Sequence, residues 1–289
     1  MASFTRIKEY LSTDDGSAGT LLIPSLILPT MQEDQKKNLL DRNLAKWVLT
    51  PAQLASHGGS FNYNQTVRNT GRVREQGEGA EAILDTQDYQ TVTFTFIKYG
   101  VAVRITREMM EDSQFELFRS NIAAMGRRFA ENETRLVLSA LDGANSTVTG
   151  GAAITIANIT QAMFNVENAD YVPTDLIVGN EVLQDLRNID TFAEADKWGD
   201  NSTYARTGFV GKIYGLNVHR FSSNAAPATT HARRAYVVDR SEAYGIAIKR
   251  DITVENYTLP TFDMEGAVIT QRIDVRLLRS EAVGLITTS

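Results

Sequence analysis

The chain has 289 residues, of which 43% are hydrophobic and 22% are charged, so it is long enough for one large folded domain or two ordinary ones. Its formal net charge of −6 argues against a protein that grips nucleic acid through a large basic surface. The absence of cysteine excludes disulfides, thiolate metal sites and a cysteine nucleophile, and no apolar segment is typical of a signal peptide or long enough to span a membrane.

Residues 1–50 are interpreted as an N-terminal arm that precedes the folded core. The apolar segment from Thr20 to Thr30 carries Pro24 and Pro29, so it is extended and cannot pair on both edges. We expect this strap to lie across another surface. Residues 31–49 then show the apolar spacing of a helix.

Residues 51–90 predict a long two-stranded protrusion. Residues 61–73 read as a strand that places Phe61, Tyr63, Gln65 and Val67 on one face. The tip, Gly77-Glu78-Gly79, is too polar for a core. Because an isolated two-stranded ribbon is only marginally stable in water, we expect this protrusion to rest on another subunit.

Residues 90–105 form the clearest predicted strand. Val92, Phe94 and Phe96 alternate with threonines, but the apolar residues after Gly100 have the opposite parity. Since an alternating pattern changes parity only where a residue is inserted, the sequence predicts a bulge or bend at residues 98–100.

A long helix follows, predicted from Ser113 to Leu141. Ser113 and Glu116 form a capping box at its start, and Asp142-Gly143 gives a C-terminal stop. The helix would be about 40 Å long, so we expect much of the fold to lie along it. Its predicted core stripe consists of Phe118, Ile122, Met125, Phe129, Leu136 and Ala140.

The second half of the chain alternates short helices and strands. A patch of small residues at 144–153 precedes a predicted helix near 159–169, and residues 190–211 read as a polar loop. The other predicted elements are a buried strand within 175–180, a helix at 181–188, a strand at 212–221, strands at 235–238 and 243–249 around a turn, a strand at 252–257, and a closing strand pair at 268–278 and 282–287.

The sequence offers little chemistry. His57, His219 and His231 are scattered without metal-ligand spacing, and structural histidines are the favoured interpretation. Asp239 and Glu242 lie in a turn where acids usually face water. No nucleophile elbow or dinucleotide fingerprint is present. We therefore predict no catalytic, cofactor-binding or metal site, and a self-assembling protein rather than an enzyme.

The order of these parts resembles the major capsid protein of tailed bacteriophages, which has the Hong Kong 97-type fold. The segment from Gly100 to Gly143 is similar to that family's unit of strand, "ISKELLEDS"-like turn and long spine helix. Weaker similarities lie at the acidic tip 75–78, the strand–Asn–helix unit from residue 175, the strand 214–218 and the closing strand from Arg279. Together they cover roughly residues 20–287.

This resemblance implies an α+β fold with a long spine helix, peripheral and axial domains, an N-terminal arm and an extended β-loop. The implied domains are the arm at 1–50, the extended loop at 51–90, the peripheral domain at 91–144 and 261–289, and the axial domain at 145–260.

The implied function is a major capsid protein that assembles as pentamers and hexamers into an icosahedral shell around double-stranded DNA, which it packages without sequence specificity. Further implied partners are a portal and a separate scaffold or decoration protein. No membrane partner is expected, and the protein is expected in the virion after assembly in the host cytoplasm. One alternative is an encapsulin-type nanocompartment shell, and the other is an enzyme or receptor-binding module, which would need a site that the sequence does not offer. Candidate inter-subunit contacts are Leu22, Ile23, Ile27 and Leu28 of the strap, Gly77 and Glu78 of the loop tip, and Trp198, Tyr204 and Arg206 of the 190–211 loop.

Overall fold

The computed structural model of this chain describes residues 41–67, 75–79, 88–106, 115–189, 209–221 and 231–288. The helices in these ranges are α1 (Asp41–Leu44), α2 (Phe115–Leu141), α3 (Ile156–Glu167) and α4 (Asn180–Arg187). The strands are β1 (Trp47–Leu49), β2 (Ser60–Thr66), β3 (Tyr89–Thr95), β4 (Ile97–Thr106), β5 (Ser146–Thr149), β6 (Asp175–Val178), β7 (Phe209–Ile213), β8 (Leu216–Arg220), β9 (Arg234–Val238), β10 (Tyr244–Leu259), β11 (Met264–Leu277) and β12 (Val283–Thr287).

The chain divides into two compact units. The first unit contains Lys98–Glu133 and Arg250–Arg272, and the second contains Leu40–Ile97, Thr134–Lys249 and Ile273–Ser289. Helices and sheets both build the fold, as the predicted α+β class requires.

A six-stranded sheet of order β5-β12-β9-β6-β8-β7 organises the second unit. Helix α3 packs against β12, β5 and β9, and its buried residues are Ile159, Ala162 and Val166. The helix begins where Thr155 and Asn158 form a reciprocal capping box, which satisfies backbone donors at its N-terminus. The sheet therefore has a covered face, and part of the core of this unit lies under α3.

The strand predicted within residues 175–180 and the helix after it are confirmed. All four residues of β6 are buried, and the strand lies between β8 and β9 in the sheet. Helix α4 follows directly and buries Val182, Leu183 and Leu186.

Residues 212–221 were predicted as one strand, and this prediction is wrong. The segment is a hairpin in which β7 and β8 pair antiparallel. Tyr214 (φ 48°) and Gly215 (φ 87°) form the turn, and positive φ at both central residues is typical of tight hairpin turns. Residues 209–211, predicted as loop, belong to β7.

Four further assignments differ because strand pairing is non-local and local periodicity does not reveal it. Residues 47–49, predicted as the end of a helix, form β1 and pair in parallel with Gly245–Ala247 of β10. The small-residue patch at 144–153 contains β5, which pairs in parallel with β12.

The closing strands were predicted to pair with each other, but β11 neighbours β10 and β4, whereas β12 neighbours β5 and β9. Likewise, the separate strands predicted at 243–249 and 252–257 are parts of the single 16-residue strand β10.

The predicted parity change in the strand before the spine helix is confirmed, but its position is wrong. β3 ends at Thr95 and β4 begins at Ile97, so the break lies before residues 98–100. Phe94 is buried before the break and Phe96 is buried at it, and Tyr99 and Val101 pack against a different cluster after it. The break separates strands that belong to two sheets.

The spine helix α2 has 27 residues and ends at Leu141, as predicted. Its predicted start at Ser113 and the side chains of Phe118 and Ile122 lie outside the described residues. Phe129 is buried, but Leu136 and Ala140 are only half-buried. The buried residues near the end are Val137, Leu138 and Leu141. Near its end the helix carries apolar residues on all sides, so their spacing in the sequence did not identify which face is buried.

The core of the first unit joins α2 to its strands. Phe129 packs with Ile252 and Ile269, and Glu133 is fully buried on the same helix. The Nε2 atom of Gln271 donates a hydrogen bond to Glu133 Oε1 at 2.6 Å. This polar pair inside an apolar core was not predicted.

Candidate assembly surface

Strands β2 and β3 form a two-stranded antiparallel sheet, named here the ribbon, with Ser60 opposite Thr95 and Thr66 opposite Tyr89. Its residues alternate strictly between two faces, as the sequence predicts. The inner face carries Phe61, Tyr63 and Gln65 of β2 together with Val92 and Phe94 of β3.

The inner face of the ribbon packs on its own subunit. The Trp47 ring packs at tilted angles against the rings of Tyr63 and Phe94, at centroid distances of 5.3 Å and 5.4 Å. Leu54, Ala247 and Leu278 belong to the same cluster, and Phe94 is fully buried. The expectation that the ribbon needs another subunit for support is therefore wrong for residues 60–66 and 89–95, because β1, β10 and the 51–57 turn supply that support.

Polar contacts also hold the ribbon. Thr95 N–H donates to Asp274 Oδ2 at 2.7 Å, and the buried Gln65 donates through Nε2 to the carbonyl oxygen of Leu278 at 2.5 Å. Arg279 Nη2 donates to the carbonyl oxygen of Thr66 at 2.8 Å. These residues were not predicted as functional. Gln65 alone gave a signal, since a polar residue on an apolar strand face indicates a buried hydrogen bond.

The outer face of the ribbon is exposed and has no charged side chain. It consists of Ser60, Asn62, Asn64 and Thr66 of β2 and Tyr89, Thr91, Thr93 and Thr95 of β3. Asn64 accepts a hydrogen bond from Thr91 at 2.8 Å, and Tyr89 is 71% exposed. A neutral surface with an exposed tyrosine suits a protein partner better than a charged ligand.

The tip of the extended loop is exposed at residues 75–79, as predicted. A Cβ atom added to Gly77 or Gly79 would meet no other atom within 4 Å. Glu78 is exposed between these glycines. The other candidate contacts, Leu22, Ile23, Ile27, Leu28, Trp198, Tyr204 and Arg206, lie outside the described residues.

The end of the spine helix carries a polar cluster centred on Asp142. Its carboxylate accepts hydrogen bonds from His231 Nε2 at 2.8 Å, Arg234 Nη1 at 2.6 Å and the Tyr236 hydroxyl at 2.7 Å. Burial, with help from the neighbouring carboxylate, raises the pKa of Tyr236 far above its usual range, so the hydroxyl stays a donor. The cluster attaches the helix end to β9.

A second polar cluster surrounds Asp175 at the start of β6. Its carboxylate lies 2.9 Å from His219 Nε2 and accepts a hydrogen bond from the Thr174 hydroxyl at 2.7 Å. Burial opposes its ionisation, but the hydrogen bonds from His219 and Thr174 outweigh burial and lower the pKa of Asp175.

Both clusters have structural roles that the side-chain contacts explain. His219 and His231 each bind a carboxylate of their own unit, and His57 packs edge-on against Phe61. Asp239 and Glu242 were predicted to face solvent. Instead, Asp239 accepts a hydrogen bond from Ser241, and Glu242 accepts hydrogen bonds from Lys46 and Arg279. Within the described ranges, no group of three histidine, aspartate or glutamate residues has metal-binding geometry, and no helix there is long and apolar enough to cross a membrane.

A family model described as "Phage capsid protein" matches residues 89–284, which is more than half of the chain. The chain belongs to the phage capsid protein family. The match includes β3, the spine helix and both polar clusters. No curated protein sequence matches the chain.

Solved structures give the fold of this capsid protein. It is similar to a structure described as "Microbacterium phage Oxtober96", with 14% identity, a TM-score of 0.63 and complete coverage of both chains. The "Capsid structure of the Cyanophage P-SCSP1u" gives 13% identity and a TM-score of 0.63, covering 98% of this chain and 94% of that one.

A "virus-like particle from Pyrococcus furiosus" gives 10% identity and a TM-score of 0.59, covering 92% of this chain and 100% of that one. At these identities the likeness establishes the fold alone. It is the Hong Kong 97-type capsid fold that the sequence resemblance predicts.

Proposed function

We propose that this capsid protein is the major shell subunit of a tailed bacteriophage, and that it assembles as pentamers and hexamers into an icosahedral shell around double-stranded DNA. The observation that carries this proposal is the match of a phage capsid family model to residues 89–284, a range that includes the spine helix. The protein would then reside in the virion after assembly in the host cytoplasm.

The surface of the ribbon supports a role in contacts between subunits. Its outer face is neutral and exposed, and Gly77 and Glu78 at the loop tip are exposed as well, with open space beside Gly77. Such a surface would be covered by an adjacent copy in a shell. Assembly and subunit stability would then be coupled, because contacts made only in the shell stabilise the folded subunit.

The charge of the subunit fits a container for DNA. A net charge of −6 disfavours tight binding to phosphate, so packaged DNA would contact the shell weakly and without sequence specificity. A portal for DNA entry and a separate scaffold or decoration protein are the further partners that this role requires.

The strap and the 190–211 loop are proposed as further contact segments. Leu22, Ile23, Ile27 and Leu28 would bury their apolar side chains on a neighbour. Trp198, Tyr204 and Arg206 would lie near the capsomer axis. We expect deletion of residues 198–206 to block capsomer formation and leave the far-ultraviolet circular dichroism of the subunit unchanged. Normal shells from this deletion variant would contradict the placement.

The encapsulin-type alternative is not favoured, because the family model that matches describes a phage capsid protein. The proposal is tested by expressing the chain alone and together with its neighbouring phage genes, followed by sedimentation and negative-stain electron microscopy. Closed shells or capsomers are the expected result. Protein that remains monomeric in both expressions would refute the proposal.

A further inference from the structure

The ribbon is attached to one segment of its own subunit, residues 274–279, at both of its ends. At one end, Thr95 binds Asp274, which is itself held by Arg276 Nε at 2.9 Å. At the other end, Gln65 binds the carbonyl of Leu278 and Thr66 accepts from Arg279. Thr95 pairs with Ser60, six positions from Thr66, so the two attachments are about 20 Å apart along the ribbon.

Arg279 occupies the centre of the second attachment. Its Nη2 atom donates to the carbonyl oxygen of Thr66 at 2.8 Å, and its Nε atom donates to Glu242 Oε2 at 3.1 Å. Lys46 binds the same carboxylate oxygen at 2.9 Å. The side chains of Arg279 and Glu242 are 15% and 28% exposed, so solvent screens this ion pair only partly, whereas the hydrogen bond to Thr66 lies at the exposed surface.

The geometry of these contacts favours arginine over lysine. The guanidinium group presents separate N–H donors in a rigid plane, which lets one side chain bind a backbone carbonyl and a carboxylate in different directions. A lysine ammonium has a single donor atom and would satisfy the two acceptors less well.

Two separated attachments prevent a strand pair from turning about one end. The apolar cluster of Trp47, Tyr63 and Phe94 lies on the same face as Gln65 and fills the space beneath the ribbon. A rotation of the ribbon about its Thr95 end would therefore break the Arg279 and Gln65 contacts and, at the same time, expose buried aromatic surface.

We infer that Arg279 is a positioning residue that fixes the direction of the ribbon on its own subunit, and that residues 60–66 and 89–95 keep this direction when subunits assemble. The first half of the inference concerns the free subunit. The second half rests on the proposed function, because it requires assembly.

The first experiment measures hydrogen–deuterium exchange in the free subunit. Arg279→Met keeps the aliphatic length of the side chain and removes its N–H donors. Arg220→Met is the control, because Arg220 is exposed in the six-stranded sheet and its replacement removes the same positive charge. We expect amides of β2 and β3 to exchange about tenfold faster in Arg279→Met, with β6 and β9 unchanged. Arg279→Lys should give an intermediate rate. Equal ribbon exchange in Arg279→Met and Arg220→Met would overturn the inference.

The second experiment measures the direction of the ribbon itself. The chain has no cysteine, so Asn62→Cys and Glu281→Cys place two spin labels at exposed positions, one on the ribbon and one beside Arg279. The expected distance distribution is a single narrow peak that Arg279→Met broadens. A distribution that is already broad with Arg279 present would overturn the inference, and it would do so whether or not the subunit assembles.

The same double-cysteine chain tests the second half of the inference. Spin labels diluted with unlabelled subunits should give the same distance peak in shells as in free subunits. A shifted peak in shells would overturn the claim of a fixed direction. Failure to form any assembly would contradict the proposed function instead, while the free-subunit results would still stand.

Discussion

Replacement of Asp142 by alanine should destabilise the second unit, because a single carboxylate accepts hydrogen bonds from His231, Arg234 and Tyr236. A hydrogen bond to a charged group contributes about 1.5–3 kcal/mol, and donors left without an acceptor add a desolvation cost. The Asp142 side chain is 27% exposed and that of Arg234 is 23% exposed, so screening lowers the sum. We expect a net loss of about 3 kcal/mol in the free energy of unfolding.

The assay is urea and thermal denaturation followed by circular dichroism. For a unit of this size, a loss of about 3 kcal/mol lowers the midpoint by about 6–12 °C. Glu167→Ala is the matched control, because Glu167 is exposed at the end of α3 and its replacement removes the same charge. Its effect should stay within about 0.5 kcal/mol. If Asp142→Ala is as stable as Glu167→Ala, the cluster does not hold the end of the spine helix.

Three further predictions concern the second unit. The pKa of Asp175 is lowered from 3.8 in the folded protein, so its ionised form contributes stability above that pH, and the contribution is lost as the pH falls through the lowered value. The difference in free energy of unfolding between the unsubstituted protein and Asp175→Asn, measured by urea titration, should therefore shrink below about pH 4. A difference that stays constant with pH would contradict this assignment. Gly179→Ala would place a Cβ atom 2.8 Å from the backbone carbonyl carbon of Ala232. We therefore expect the free energy of unfolding in the same titrations to fall by at least about 2 kcal/mol, and a fall below about 0.5 kcal/mol would refute the close approach. Gly245→Ala would place a Cβ atom 2.8 Å from the Trp47 ring; in a Trp198→Phe background the indole emission should shift to longer wavelength, and an unchanged spectrum would show that the ring does not lie on this glycine.

Elements with a strong local pattern were predicted well from the sequence. The spine helix ends at Leu141 because Asp142-Gly143 stops it, and the inner face of β2 follows from its alternation. The α+β fold class and the capsid family also followed, because the order of strand, turn and long helix is characteristic even where each motif is weak.

Features that depend on distant parts of the chain were not predicted. β5 pairs with β12, and β1 pairs with β10, although each partner lies far away in sequence. The support beneath the ribbon comes from Trp47 and Leu278, which local patterning does not connect with Phe94. The carboxylates of Asp142, Asp175 and Glu242 likewise have partners that only the tertiary fold brings near.

Cryo-electron microscopy of the expressed chain tests the central claim most directly. Expression with its neighbouring phage genes should yield closed icosahedral particles whose subunits show the described fold, with the ribbon's outer face covered by an adjacent copy. Homogeneous monomers, or particles in which the outer face of the ribbon remains exposed to solvent, would contradict the account.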